Sequence, residues 1–277
     1  MPMPRALPFS LLLAALLTIA PASVAAPEIG GAVRLIVAGV VDGRAEAGLE
    51  IALKPGWKTY WRMPGDAGIP PTVDAKGSRG LARLEVRYPA PRRFAEGELT
   101  GVGYTETVVL PLDLAASDPA KPIDLDLDVA IGLCHDICVP LDARVAGRID
   151  PAAPVDEVAR ATIAAARARL PEAHVAGRAP EIAALRREIE TAGEAIEVEV
   201  AWPEGAGERD VLVEGPTPEW ALPLPEKIGD AKGHEVWRFA IDGVPKGATI
   251  AGARLMFTLR AGGRAVEQAM TVEAGGR

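Results

Sequence analysis

The chain has 277 residues, with 30 Lys plus Arg against 38 Asp plus Glu, so its formal net charge is −8. An acidic chain with a pI near 5.1 and no basic run offers nothing to a phosphate backbone, which excludes nucleic-acid binding. Gly (29) and Pro (25) are abundant and aromatics make up only 4%, a composition for many turns and short strands rather than a helical bundle.

Arg5 precedes an apolar run from Leu11 to Ala20, and small residues follow at Pro21-Ala22-Ser23-Val24-Ala25-Ala26. This order predicts a secretory signal peptide over residues 1–26, cleaved after Ala25 or Ala26. The run falls short of the roughly 20 residues a bilayer span needs, and no later segment approaches that length. The expected mature chain therefore has no membrane span. It is expected to work outside the cytoplasm, where disulfides form and persist.

Residues 27–150 read as strands. Val33, Leu35, Val37 and Leu49, Ile51, Leu53 alternate at period two, and Ile123-Asp124-Leu125-Asp126-Leu127-Asp128-Val129-Ala130-Ile131 is apolar at every odd position. One face is buried and the other wet, as an antiparallel sheet requires, and a β-sandwich is the natural closure. Residues 151–193 read as a helical connector. Pro154-Val155-Asp156-Glu157 opens a helix running to Leu170, acidic early and basic late. A second helix is expected from Pro180 to about Ala192, with Ile182, Leu185 and Ile189 as its stripe and Gly193 beyond its end. From 194 to 277 the alternation returns at Ile196, Val198, Val200, then Val211, Val213, then Val236, Phe239, then Leu255, Phe257, Leu259. The fold class is thus mainly β, with a second, smaller sandwich after the connector.

The two cysteines are too few to staple a fold of this size and enough for one local piece of chemistry. Cys134 and Cys138 lie in Gly132-Leu133-Cys134-His135-Asp136-Ile137-Cys138-Val139-Pro140. In a continuous strand they would stand about 13 Å apart, beyond disulfide reach. The alternation before Cys134 and at Val139, Leu141, Ala143 and Val145 predicts a hairpin with the pair facing across its tip. A structural bond over so short a loop would contribute only about 2 kcal/mol in the chain-entropy model. Exposed short-loop bonds suit thiol–disulfide exchange instead. Spacing alone leaves exchange, a structural bond and a metal site open. His135 and Asp136 tune the thiolate if they face it, the imidazolium lowering a thiol pKa and the carboxylate raising it. His174 and His234 sit in linker and loop contexts and read as solvated. No Ser/His/Asp set, phosphate-binding glycine loop or HExxH motif occurs.

Several ordered stretches resemble the N-terminal periplasmic domain of the thiol:disulfide interchange family of DsbD and ScsB. They are Gly56-Trp57-Lys58-Thr59-Tyr60-Trp61, then Pro64-Gly65-Asp66-Ala67-Gly68-Ile69-Pro70, then Gly101-Val102-Gly103-Tyr104 with Val108-Val109-Leu110-Pro111, then Cys134…Cys138-Val139-Pro140. The resemblance covers roughly residues 30–150. It implies an immunoglobulin-like domain with a redox-active pair, Cys138 attacking a partner's disulfide and Cys134 its mate, and no cofactor. It implies Tyr60 as the aromatic beside the cysteines and Glu98-Leu99 in a cap loop, with Leu99 where the family has an aromatic. The implied partners are a membrane-embedded thiol transporter of the DsbD, ScsB or CcdA type and periplasmic thioredoxin-like or disulfide-isomerase proteins. The membrane and thioredoxin domains of DsbD have no counterpart in this sequence, so the implied donor is a separate chain.

Two rivals remain. The C-x3-C pair with His135 offers soft ligands for Cu(I), as in a copper-resistance or copper-assembly protein. The motif also resembles the Sco-type copper site, although that site sits on a thioredoxin fold that this β-pattern does not supply. The other rival is a binding module with an inert disulfide.

Overall fold

The computed structural model describes residues 29–66, 68–190 and 193–274; the expected signal peptide and its cleavage site lie outside them. Among the described residues no helix is long and apolar enough to cross a membrane. The first half contains β1 (Gly31–Val41), β2 (Arg44–Leu53), β3 (Lys58–Gly65), β4 (Thr72–Asp74) and β5 (Leu81–Val86). It continues with β6 (Arg92–Glu96), β7 (Leu99–Tyr104), β8 (Val108–Ala116), β9 (Ile123–Cys134) and β10 (Cys138–Ile149). One helix, α1 (Glu157–Arg167), follows. The second half contains β11 (Glu172–Ala173), β12 (Glu181–Glu190), β13 (Gly193–Ala201) and β14 (Arg209–Glu214). It ends with β15 (Glu226–Ala231), β16 (His234–Ala240), β17 (Arg254–Ala261) and β18 (Arg264–Thr271).

The first ten strands form an immunoglobulin-like sandwich. One sheet has the order β1-β2-β8-β5 and the other β10-β9-β3-β7-β6, with β4 beside β9. β9 follows the alternation of its sequence. Ile123, Leu125, Leu127, Val129 and Ile131 are buried against Leu49, Ile51, Trp61, Leu110 and Leu112. Its outward Asp124 and Asp126 pair with Arg148 and Arg144 of β10. The second, smaller sandwich packs β11-β18-β17-β14 on β12-β13-β16-β15 around Ile196, Val198, Val200, Val211, Val213, Phe257 and Leu259.

The helix α1 begins where its cap dictates. Asp156 accepts from the Val158 and Ala159 amides, Glu157 lies in the first turn and Arg167 in the last. Ile163, fully buried, packs with Ala38 of β1, and Arg167 donates to Asp113 and to the Leu112 carbonyl of β8.

The second expected helix is instead the strand β12, paired antiparallel with β13 and belonging to the second sandwich. The helical connector therefore shortens to α1. The misleading signal was the spacing of Ile182 and Leu185. A bulge between Ile182 and Ala184 absorbs one residue, so Ile182 stands opposite Val200 and Leu185 opposite Val198, on one face. Two apolar residues three apart then share a face in a strand as they would in a helix. Arg186 with Glu199 and Arg187 with Glu194 close the ladder as cross-strand ion pairs.

The two sandwiches are joined by apolar and ionic contacts. Leu212 of β14 and Leu224, both from the second half, belong to the core cluster of the first. Arg62 of β3 donates to Glu214 at 2.7 and 2.8 Å and to Glu267 at 2.6 Å, with its guanidinium 4.4 Å from the Trp61 ring. Burial opposes the Arg62 charge, but hydrogen bonds and charge from Glu214, and then Glu267, more than offset it and hold the pKa above its ordinary value. Arg93 of β6 donates to Asp210 Oδ1 at 2.8 Å and to the carbonyls of Val211 (2.9 Å) and Pro225 (2.7 Å). Burial raises the Asp210 pKa, and the cations of Arg93 and Arg260 counter part of that rise.

Candidate functional site

The cysteines lie at the tip of the β9–β10 hairpin, as their flanking alternation predicts. Cys134 stands directly opposite Cys138, their Cα atoms are 4.1 Å apart, and they are joined as a disulfide. His135-Asp136-Ile137 makes the turn. The two sulfurs are unequal in access, because Cys134 is fully buried and Cys138 is exposed.

Tyr60 comes to the pair on β3, next to Thr59, whose hydroxyl donates to the Gly132 carbonyl at 2.9 Å. Along β3, Trp61 and Met63 enter the core, so the alternate positions Tyr60 and Arg62 face the other way. The Tyr60 hydroxyl lies 2.8 Å from Cys134 Sγ and 3.3 Å from Cys138 Sγ. It donates its one proton to Glu96 Oε2 at 2.6 Å, while Glu96 Oε1 is 3.5 Å from Cys138 Sγ. Burial, then the hydrogen bond and charge of Glu96, push the phenol pKa well above its ordinary value. Tyr60 is thus a fixed donor rather than a titrating group near neutral pH.

Glycines let the backbone close on that ring. A Cβ at Gly68 would lie 2.5 Å from Tyr60, and one at Gly132 would meet Ile69 at 2.9 Å and Tyr60 at 3.1 Å. The β6–β7 hairpin completes the cover. Phe94 stands 5.8 Å from the Tyr60 ring and occupies the space a Gly101 side chain would need. Lys58 donates to the Ala95 carbonyl at 2.9 Å, and Asp66 exchanges hydrogen bonds with Thr100.

Of the sequence-predicted site residues, Tyr60, Cys134 and Cys138 are brought together. Glu98 and Leu99 lie on the same hairpin but are exposed at its turn, and the carboxylate at the sulfurs is Glu96. Phe94 supplies the aromatic that Leu99 does not. Neither Phe94 nor Glu96 was singled out from sequence, although both precede the Gly97 turn two residues apart, the spacing of one strand face. His135 turns to Asp136 (2.9 Å) and to the Trp57 ring (5.8 Å between centroids). The cluster with metal-ligand geometry among the described residues is Glu96, Cys134 and Cys138, without His135. Trp61 and Tyr104 are core residues, and the Tyr104 hydroxyl donates to the Pro89 carbonyl at 2.8 Å. His174 and His234, read as solvated, are half-buried, with His174 Nε2 3.4 Å from Glu181.

An immunoglobulin-like sandwich with a cysteine pair at one hairpin tip, under a tyrosine and a glutamate, is a dithiol–disulfide domain. Residues 32–148 match the family model described as thiol:disulfide interchange protein DsbD, N-terminal. Among solved structures, the N-terminal periplasmic domain of ScsB from Proteus mirabilis superposes with a TM-score of 0.67 at 21% identity. That superposition covers 91% of this chain and 97% of that one, so the fold extends over both sandwiches. The reduced DsbD N-terminal domain of Neisseria meningitidis is 15% identical, with 46% of this chain and 95% of that one covered and a TM-score of 0.28. No curated protein matches the chain.

Proposed function

We propose that the chain is a periplasmic thiol–disulfide interchange protein whose Cys134–Cys138 pair relays electrons between protein partners. The donor is a membrane-embedded thiol transporter and the acceptors are thioredoxin-like or disulfide-isomerase proteins. In the reduced form, the Cys138 thiolate attacks one sulfur of the partner's disulfide and releases the partner's other sulfur as a thiolate. Cys134, deprotonated, then attacks Cys138 Sγ in the mixed disulfide and frees the partner's remaining thiolate. Two electrons pass to the partner, two protons follow them, and the Cys134–Cys138 bond is left to be reduced by the donor.

The observation that carries this reading is the unequal access of the two sulfurs, one exposed and one buried behind it. That is the geometry of an attacking and a resolving thiol. Around them, Ile137 (71% exposed), Leu99 (48%) and Ile69 (40%) offer an apolar rim suited to a protein partner. The family match of residues 32–148 and the periplasmic origin of the ScsB domain support the compartment and the partner class.

The test is the reduction potential of the pair in metal-free protein, together with partner capture. A potential above about −300 mV marks an exchange-competent bond. Cys134→Ser should accumulate a mixed disulfide with a thioredoxin-like protein, and Cys138→Ser should form none. A potential below that range with no mixed disulfide would make the bond structural. The second reading is Cu(I) held by the two thiolates, soft ligands brought together at the hairpin tip. Stoichiometric Cu(I) uptake by the reduced chain, lost in Cys138→Ser, would establish it.

A further inference from the structure

Two strands of the first sandwich hand residues both to the disulfide and to the second sandwich. β3 gives Tyr60 to the sulfurs and Arg62 to Glu214 and Glu267. β6 gives Phe94 and Glu96 to the site, and Arg93 to Asp210, Val211 and Pro225. Neighbouring residues of a strand point to opposite faces. The five residues of β6 are therefore held between the cysteine pair and the second domain.

The hairpin needs such a hold. β6 is the edge strand of its sheet, bonded only to β7. β7 itself meets β3 at Thr59–Tyr104, Tyr60–Gly103 and Gly65–Gly101, with the register broken between Tyr60 and Gly65. The ladder thus fails alongside the part of the hairpin that covers the disulfide. Besides the Lys58–Ala95 and Asp66–Thr100 bonds within the first sandwich, the hairpin is held from the second by Arg93 of β6, whose planar fork meets three acceptors, one of them the buried Asp210. The neighbouring Arg92–Glu208 pair is solvent-exposed on both sides and adds little.

We propose that Arg93 is a positioning residue through which the second sandwich holds the β6–β7 hairpin closed over the disulfide. This rests on the thiol–disulfide reading of the site. It also gives the second sandwich a task, setting how readily the buried Cys134 sulfur is uncovered.

The test is the rate at which dithiothreitol reduces Cys134–Cys138 in the full chain, followed by alkylation and mass. Arg93→Met should accelerate reduction about tenfold, as loss of charge-assisted hydrogen bonds implies. Arg93→Lys, which reaches Asp210 but cannot span all three acceptors, should fall between and serves where Arg93→Met folds poorly. In a Phe94→Ala/Glu96→Ala background, where the cover is already gone, Arg93→Met should change the rate less than twofold. Equal acceleration in both backgrounds would mean general loosening and overturn the proposal. So would no acceleration by Arg93→Met where Phe94→Ala/Glu96→Ala is fast. The readout needs no protein partner, so failure of the relay reading appears separately, in the potential and the partner capture.

Discussion

Replacing Tyr60 by Phe isolates the bond at the centre of the site. The substitution removes one oxygen and leaves the ring between Phe94, Gly68 and Gly132. Glu96 then loses the 2.6 Å hydrogen bond from the phenol. Hydrogen bonds to charged groups contribute about 1.5–3 kcal/mol, and since Glu96 is only half-buried the lower end applies. A loss of about 1.5 kcal/mol multiplies the open-hairpin population roughly tenfold. If reduction requires the hairpin to lift from the buried Cys134 sulfur, it accelerates by the same factor. The assay is pseudo-first-order reduction at fixed pH, with the melting temperature measured alongside to show that the sandwich is intact. A rate within twofold of the parent, or a slower one, would refute the idea that the phenol–carboxylate bond holds the hairpin over the sulfurs.

The chain has three tyrosines, and burial raises the pKa of each, Tyr88 to about 12 and Tyr60 and Tyr104 well above the ordinary value. The folded chain should therefore form no tyrosinate near pH 10, where the denatured chain titrates, and near-ultraviolet absorbance reads the difference. The unfolded state binds fewer protons above that pH, so this contribution to stability is complete below about pH 10 and lost as pH rises. A folded chain whose tyrosines ionise near pH 10 would contradict the packing of all three. At the other end of the first sandwich, Asp156→Ala removes the cap that accepts from Val158 and Ala159. It should lower stability by about 1 kcal/mol in denaturant unfolding, with the reduction rate of the disulfide unchanged.

The parts of the fold that were legible in sequence are those where a single strand decides its own burial. Ile123 to Ile131 alternates strictly, and the strand and its faces follow from that. The cysteine hairpin follows from the same run continued beyond Cys138. Legibility fails where a second strand sets the phase. Ile182 and Leu185 carry a helical spacing that a bulge against β13 converts to one strand face. In the cap, Glu96 and Glu98 are equivalent as letters, and the placement of the Gly97 turn decides which one meets the sulfurs. Gly97 takes a φ of +64°, which ends β6 at Glu96 and leaves Glu98 in the turn. The arginines between the sandwiches had no signal at all, since Arg62 and Arg93 differ from the chain's surface arginines only in having partners far along the sequence.

Leu212 and Leu224 complete the core of a sandwich to which they do not belong by sequence. Burying a leucine is worth about 1.5–3 kcal/mol, and each becomes a hole in the first sandwich if the chain is cut after Ile149. The cut also strips Arg62 and Arg93 of every acceptor described above. The stretch recognisable by sequence similarity therefore has part of its core supplied from outside its own bounds. Its boundary in sequence similarity and the boundary of its packed core fall at different places. A truncated first half would report the chemistry of a looser molecule, with the arginines that were its joints left as surface charge.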